Sequence, residues 1–136
     1  MAKQFHLDII TPTITQSFDC VDYVRIPSID GLIGIQAKHA KAIIGLEIGE
    51  IRITHNGKNY FYATSGGFAD IANDSVQLLV ETAEDATNID KKRAINSLDR
   101  GKTRLKDNTS DIKRAQYSIK RAENRLRIIK VYENNK

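Results

Sequence analysis

The hydrophobic period of this chain changes once, close to residue 86, and that change limits the fold more than any single motif. Before it, apolar residues alternate with polar ones. Phe5, Leu7 and Ile9 fall on one side of an extended chain and Gln4, His6 and Asp8 on the other, which is the two-residue period of a half-buried strand. In "IRITHNGKNYFYA", residues 51–63, Asn56-Gly57 separates two runs rich in β-formers, and that pair tolerates the positive φ of a type I′ turn. A second hairpin is expected around Asn73-Asp74, between "GFADI" and "VQLLVET". Many short strands with Gly, Pro and Asn between them imply an antiparallel β-sandwich or barrel over residues 1–86, with the sandwich as the expected form.

After the change the period is helical. Asn88 has the side chain of an N-cap, and Asp90 suits the positive end of a helix dipole. Ala94, Leu98, Gly101 and Leu105 then recur at steps of four, three and four. The polar run "DNTS", residues 107–110, interrupts the pattern, with Thr109 or Ser110 as the expected cap of a second helix. There Ile112, Ala115, Ile119, Ala122, Leu126 and Ile129 alternate three and four as a heptad seam does. Two stripes joined by a short polar loop predict an antiparallel helical hairpin over residues 87–136. The fold class is therefore α+β, a sandwich followed by a hairpin.

Small residues dominate the seam. At roughly 25 cal/mol per Å² of buried apolar surface they stabilise a helix pair weakly, and Gly101 costs about 1 kcal/mol more in helix propensity. Such a pair needs a second surface or a ligand to hold one arrangement.

Charge divides at the same place. Residues 1–85 hold 6 Lys/Arg against 11 Asp/Glu, whereas residues 86–136 hold 15 against 6. A basic appendage on an acidic body points to an anionic partner: nucleic acid, phosphate or an acidic protein surface. Length bounds the chain to one domain, or a small domain with an appendage. No apolar run is long enough to span a membrane. Cys20 is the only cysteine, so no internal disulfide is expected and a small core position suits it. His6, His39 and His55 are scattered, with no ligand-spaced cysteine or carboxylate, so no metal site is expected. "SGGF", residues 65–68, reads as a bend or bulge in the sheet rather than a phosphate loop. No nucleophile, base and oxyanion set assembles, so no catalytic residue is assigned.

Within the hairpin, Arg93 and Arg100 are seven apart, and Arg114, Arg121 and Arg125 share a face. Arginine's planar fork binds phosphate oxygens in pairs. Spacing alone leaves two readings open: an anion cage between the helices, or solvated helix faces, the commoner fate of such rows.

Five segments, in order, carry a resemblance: "HLDIITP" at 6–12, "DGLIGI…HA" at 30–40, "ATSGGFADI" at 63–71, "VETAEDATNIDKKRA" at 80–94 and "DIKRAQYSIKRAENRL" at 111–126. Together they resemble the epsilon subunit of the F-type ATP synthase. That family is a β-sandwich followed by a helical hairpin, the architecture reached above from the residues. The resemblance implies a non-catalytic subunit of the central stalk that turns with the rotor. Its sandwich would contact the gamma subunit and the c-ring, with Asp30, Gly31, Leu32 and His39 as rotor contacts. Its hairpin would permit turnover when folded down and inhibit ATP hydrolysis when extended toward the alpha and beta subunits. The implied location is peripheral, on the cytoplasmic face of a bacterial cell membrane, with no membrane insertion.

The resemblance further implies ATP as a regulatory ligand, with no cofactor required. The family's I-D-x-x-R-A motif is matched by Ile89, Asp90, Arg93 and Ala94, with Glu84 before it and Arg100, Arg121 and Arg125 after it. The four arginines would face the phosphates, and Glu84, Ile89, Asp90 and Ala94 the adenine-ribose end. The chain departs from the family at "QAKHAK", residues 36–41, where a Pro-Gly pair precedes the histidine in most members, and at Leu32, where an acidic residue is common. The rival from another class is a nucleic-acid-binding module built on the basic hairpin. The hairpin's few aromatics and the lack of a nucleic-acid motif argue against it.

Overall fold

The computed structural model describes residues 3–72, 74–107 and 111–135. The chain divides into two compact units, Met1–Glu84 and Asp85–Lys136.

The first unit contains nine strands: β1 (Phe5–Ile10), β2 (Thr15–Ser28), β3 (Gly31–Ile35), β4 (Ala42–Leu46), β5 (Gly49–His55), β6 (Lys58–Thr64), β7 (Gly67–Ile71), β8 (Ser75–Val80) and β9 (Ala83–Asp85), the last ending at the unit boundary. Their order is β1-β8-β7-β4-β2-β5-β6-β9, with β3 beside β2, and β1 also pairs with β2. Because β1 is hydrogen-bonded to both β8 and β2, the sheet folds back on itself as a sandwich. Fourteen-residue β2 makes this possible by pairing with β1 along its first part and with β3 and β5 along its second. The pairings of β2 with β1, β3, β4 and β5, of β4 with β7, of β5 with β6 and of β7 with β8 are antiparallel, and β1–β8 runs parallel.

Alternation works as the sequence indicates. Leu7 and Ile9 of β1, Val21, Val24 and Ile26 of β2, Ile51 and Ile53 of β5, and Val76 and Leu78 of β8 meet in one core. Asn56 and Gly57 have φ of 52° and 76°, the two positive values a type I′ turn demands. The β7–β8 hairpin forms, with the Ala72 amide donating to the Ser75 carbonyl, while Asn73 of the expected turn lies outside the described residues. The "SGGF" bend is real. Gly67 has φ of 151°, and a Cβ there would stand 2.1 Å from the Leu79 carbonyl oxygen, so only glycine fits.

Cys20 does not occupy the core; it is exposed, with φ of 59°. The β1–β2 register passes from Phe5↔Val21 to Leu7↔Phe18. Asp19 and Cys20 therefore oppose His6 alone, which is a β-bulge, and Cys20 takes its strained position. His6 clips the bulge: Nδ1 lies 2.6 Å from Asp19 Oδ1 and Nε2 lies 2.8 Å from Asp8 Oδ1. On the other side of β2, Arg25 faces Arg52 across β5 in register, and the Glu50 carboxylate reaches both, at 2.5 and 3.3 Å.

The second unit holds a 3-10 turn (Ala86–Asn88) and two helices, α1 (Lys91–Asp107) and α2 (Ile112–Asn134). The helices pack together and the 3-10 turn packs on α2. Gly101 of α1 meets Ile119 and the Ala115 carbonyl of α2, fixing the antiparallel register. Ala94, Ala115, Ala122 and Ile129 are buried as the seam requires. Ile112 is not part of it: 47% of its surface is exposed, because it is the first residue of α2, where few α1 residues remain opposite. Leu105 is exposed as well, while Ile128 is fully buried although the heptad pattern passed it over.

Candidate functional site

The start of α1 differs from the expectation in one useful way. Asn88 is not its cap. Residues 86–88 form their own 3-10 turn, capped by Asp85, and Ile89 leaves that turn in an extended conformation. Asp90 then caps α1: its Oδ1 accepts from the Arg93 amide at 3.1 Å and its carbonyl accepts from Ala94 at 3.0 Å. The carboxylate is thus tied to the helix start, which satisfies orphan donors and sits at the positive end of the dipole. The motif residues Asp90, Arg93 and Ala94 are one structural device, with Ala94 buried in the seam and Arg93 exposed beside it.

The second helix repeats the device. Asp111, not Thr109 or Ser110, caps α2, accepting from the Lys113 and Arg114 amides at 3.0 and 3.4 Å, while its carbonyl accepts from Ala115 at 3.1 Å. Thr109 and Ser110 lie outside the described residues. Further along each helix an arginine donates to the serine one turn before it: Arg100 to Ser97 at 3.1 Å and Arg121 to Ser118 at 3.3 Å. These parallels follow from the sequence. Residues 90–105 read D-K-K-R-A-I-N-S-L-D-R-G-K-T-R-L and residues 111–126 read D-I-K-R-A-Q-Y-S-I-K-R-A-E-N-R-L. Asp, the second Lys, Arg, Ala, Ser, Arg, Arg and Leu coincide, with Leu/Ile and Gly/Ala at two more seam positions. An internal repeat is the signal that the heptad pattern alone does not reveal.

Duplication decides where the arginines go. Two copies of one helix packed antiparallel are related by a two-fold axis perpendicular to both, and such an axis brings the same flank of each to the same side. At about 1.5 Å rise per residue from the Gly101–Ile119 contact, Arg93 falls level with Arg127, about half a turn past Arg125, Ser97 with Glu123, Arg100 with Lys120 and Arg104 with Gln116, about half a turn past Arg114. Arg93 and Arg100 from α1 therefore share a flank with Arg121 and Arg125 from α2. Within the second unit, Asp90, Arg93, Ala94 and Arg100 lie at the start of α1 or along it, and Arg121 and Arg125 lie on α2. Ile89 directly precedes the cap, and Glu84 lies in β9 of the first unit. Closing the hairpin crowds guanidinium groups on one flank, which is repulsive until an anion joins them.

The rotor-contact residues lie on the first unit. Asp30 lies in the tight turn between β2 and β3, and Gly31 and Leu32 open β3; Ser28 Oγ donates to the Gly31 carbonyl at 2.6 Å and accepts from the Asp30 amide at 3.2 Å. Gly31 has φ of 126° and Leu32 is exposed. His39 is not in this turn. It follows the far end of β3, in the loop where Lys38 has φ of 64°, so a partner touching both must run the length of that strand. Sequence reasoning missed a further surface of this unit. Phe68 pairs with Gly45 and with Leu79, and Ile29 packs over Gly45. Ile29, Leu32, Ile43, Phe68 and Leu79 are all exposed large apolar residues. A run of exposed apolar side chains across neighbouring strands marks an interaction surface.

Comparison with known proteins agrees with this division. The family pattern described as "ATP synthase, Delta/Epsilon chain, beta-sandwich domain" matches residues 4–86, and "ATP synthase, Delta/Epsilon chain, long alpha-helix domain" matches residues 87–130. The ATP synthase epsilon chain of Desulforamulus reducens is 36% identical over 129 residues, covering 93% of this chain and 98% of that protein. The epsilon chain of Lawsonia intracellularis is 39% identical over 105 residues, 77% of this chain and 79% of that one. Among solved structures, a chain of the Euglena gracilis mitochondrial ATP synthase superposes with a TM-score of 0.70 at 20% identity, covering 98% of this chain and 82% of its own length. One from the Tetrahymena thermophila central stalk and c-ring gives 0.58 at 16%, covering 96% and 97%; both likenesses concern the fold. The chain belongs to the delta/epsilon family of ATP synthase subunits, as an epsilon chain.

Proposed function

We propose that this epsilon chain, a non-catalytic central-stalk subunit of an F-type ATP synthase, senses ATP through its hairpin and restrains ATP hydrolysis when the hairpin opens. The sandwich docks on the gamma subunit through the apolar stripe from Ile29 to Leu79, and on the c-ring through the Asp30–Leu32 turn. No described helix is long and apolar enough to cross a membrane. Attachment to the membrane complex, on its cytoplasmic face, runs through these partners. When the hairpin opens, its basic helices meet acidic surfaces of the alpha and beta subunits.

One observation carries the nucleotide reading. Asp90 caps α1 through Arg93, and Gly101 packs on Ile119 of α2, a contact that supports a common flank for Arg93, Arg100, Arg121 and Arg125. Binding selective for the closed hairpin stabilises it by RT ln(1 + [L]/Kd), about 2.7 kcal/mol at a hundredfold excess of ligand over Kd. The seam buries few large side chains, so that contribution is enough to decide which state is populated. Calorimetric titration of the whole chain with ATP is the test. Arg93→Ala is expected to weaken binding about tenfold or more, while Lys102→Ala, on the opposite flank, leaves it near wild type. Equal affinity for wild type and Arg93→Ala, or no binding by either, overturns the site.

A further inference from the structure

At the other end of the helix pair lies a cleft of about 380 Å³ lined by Arg104, Asp111, Arg114 and Ala115. Shifted by the internal repeat, these four residues are Arg125, Asp90, Arg93 and Ala94. Each end of the pair thus combines a D-x-x-R-A helix start from one helix with the last arginine of the repeat from the other. The likeness extends to hydrogen bonds, since Asp111 binds the Arg114 amide as Asp90 binds the Arg93 amide. Arg100 and Arg121, each held by a serine, stand between the two ends.

We propose that the cleft between Arg104 and Arg114 is a second anion subsite, which takes the phosphate groups of an inorganic diphosphate or polyphosphate. Among the described residues, two guanidinium groups line it against one carboxylate. That carboxylate is occupied by the backbone amides of Lys113 and Arg114, so it neutralises the cleft only in part. Among the described residues neither Arg104 nor Arg114 forms an ion pair. Their planar forks remain available to phosphate oxygens.

The two ends differ in what precedes the cap. Ile89 stands before Asp90, whereas Ser110 stands before Asp111, and no counterpart of Glu84 precedes it at the same spacing. An apolar neighbour and an acceptor suit a nucleobase and its ribose, and the second helix start lacks that pair in its sequence. The cleft therefore selects phosphate and is indifferent to the base. This inference rests on the nucleotide reading above, because the same pattern is assigned phosphate at both ends.

Calorimetric titration of the whole chain with inorganic pyrophosphate tests it, beside ATP as a separate titrant. Wild type is expected to bind two equivalents of pyrophosphate. Arg93→Ala and Arg114→Ala each lose one, and the double variant loses both. Arg104→Ala weakens the same site as Arg114→Ala by about tenfold. Lys102→Ala, on the opposite flank, keeps both equivalents. Circular dichroism checks helix content; if Arg114→Ala unfolds α2, Arg114→Lys decides, since it keeps the charge and loses the fork, and about a fivefold loss is expected. A single equivalent abolished by Arg93→Ala and untouched by Arg114→Ala overturns the second subsite and leaves the nucleotide reading standing. Pyrophosphate and ATP both bound through Arg114, with neither affected by Arg93→Ala, uphold the subsite and overturn the nucleotide reading. Equal weakening by Lys102→Ala and Arg114→Ala also overturns the subsite, because the attraction is then diffuse.

Discussion

Gly101 lies so close to Ile119 that a Cβ built on it would stand 2.8 Å from Ile119 Cγ1 and 3.6 Å from the Ala115 carbonyl oxygen. Two effects oppose each other at this position. Alanine would gain about 1 kcal/mol of helix propensity, while forcing a methyl group into a filled contact costs about 1–3 kcal/mol. Ile119 Cγ1 is bonded directly to Cβ, so clearing the contact means turning the whole side chain out of its rotamer. Gly101→Ala is therefore expected to destabilise the hairpin by about 1 kcal/mol net, and to cost less in an Ile119→Ala background. Thermal unfolding followed by helical circular dichroism measures both. A stabilised Gly101→Ala would show that the helices do not pack this closely.

Glu50 supports the sandwich by separating two like charges. Arg25 and Arg52 are directly opposite in the β2–β5 register, and only 9% of the Glu50 side chain is exposed. Glu50→Gln removes the compensating charge while keeping the shape. Breaking a fully buried pair costs about 3–5 kcal/mol. Both arginine side chains here remain 28% exposed, so the expected loss is about 2 kcal/mol, read from urea denaturation. A loss below about 0.5 kcal/mol would mean that water already screens the two guanidinium groups.

The His6 clip predicts a dependence on pH. The Asp19 carboxylate first, and then Asp8, holds the His6 imidazole above its ordinary value. A raised folded value means that the stabilisation is complete below the unfolded pKa of about 6.5 and is lost as pH rises through the folded value. Asp8 acts in the opposite sense. Its hydrogen bond from Ser17, then that from His6, keeps its carboxyl below the ordinary range. Its contribution is present above about pH 4 and disappears as pH falls through the lowered value. His6→Gln should therefore melt below wild type near pH 6 and approach it near pH 9 as the wild-type clip opens. Melting curves across that range decide the matter, and a constant gap would exclude titration of His6 as the cause.

Removing residues 107–136 should leave assembly with the other stalk subunits intact and raise ATP hydrolysis by the complex. The first unit has its own closed core, and the proposed docking stripe lies wholly within it. Hydrolysis unchanged over a range of ATP concentrations would show that the hairpin is not an inhibitory element in this enzyme.

The strands were legible because burial in a sandwich imposes alternation residue by residue, as Phe5, Leu7 and Ile9 show. Asn56-Gly57 was legible because few residue pairs accept two positive φ values. Other features depended on neighbours that a linear reading does not see. Asn88 has a good capping side chain, but the separate 3-10 turn before α1 moves the helix start to Asp90. Cys20 is small and apolar enough for a core, yet a one-residue shift between β1 and β2 turns it outward. The seam gave the helix pairing from apolar residues, whereas the shared arginine flank is visible only in the polar ones. For that reason Arg104 and Arg114 stood apart from the motif set until the two helices were aligned on each other.

The doubled helix carries a further consequence for any experiment that opens the hairpin. Two helices with the same seam present one surface to each other, so α1 and α2 are near-equivalent partners for an arriving helix of either kind. A closed hairpin satisfies that surface internally. An opened one exposes it twice, and a second opened chain can supply the missing partner through the same Gly101, Ala115, Ile119 and Ala122 contacts. Exchange of helices between chains then competes with closure, and the balance shifts with protein concentration. Opening measured on the free subunit at high concentration would thus report a dimer as well as a monomer, whereas in the assembled synthase each hairpin has only itself and its stalk neighbours to meet.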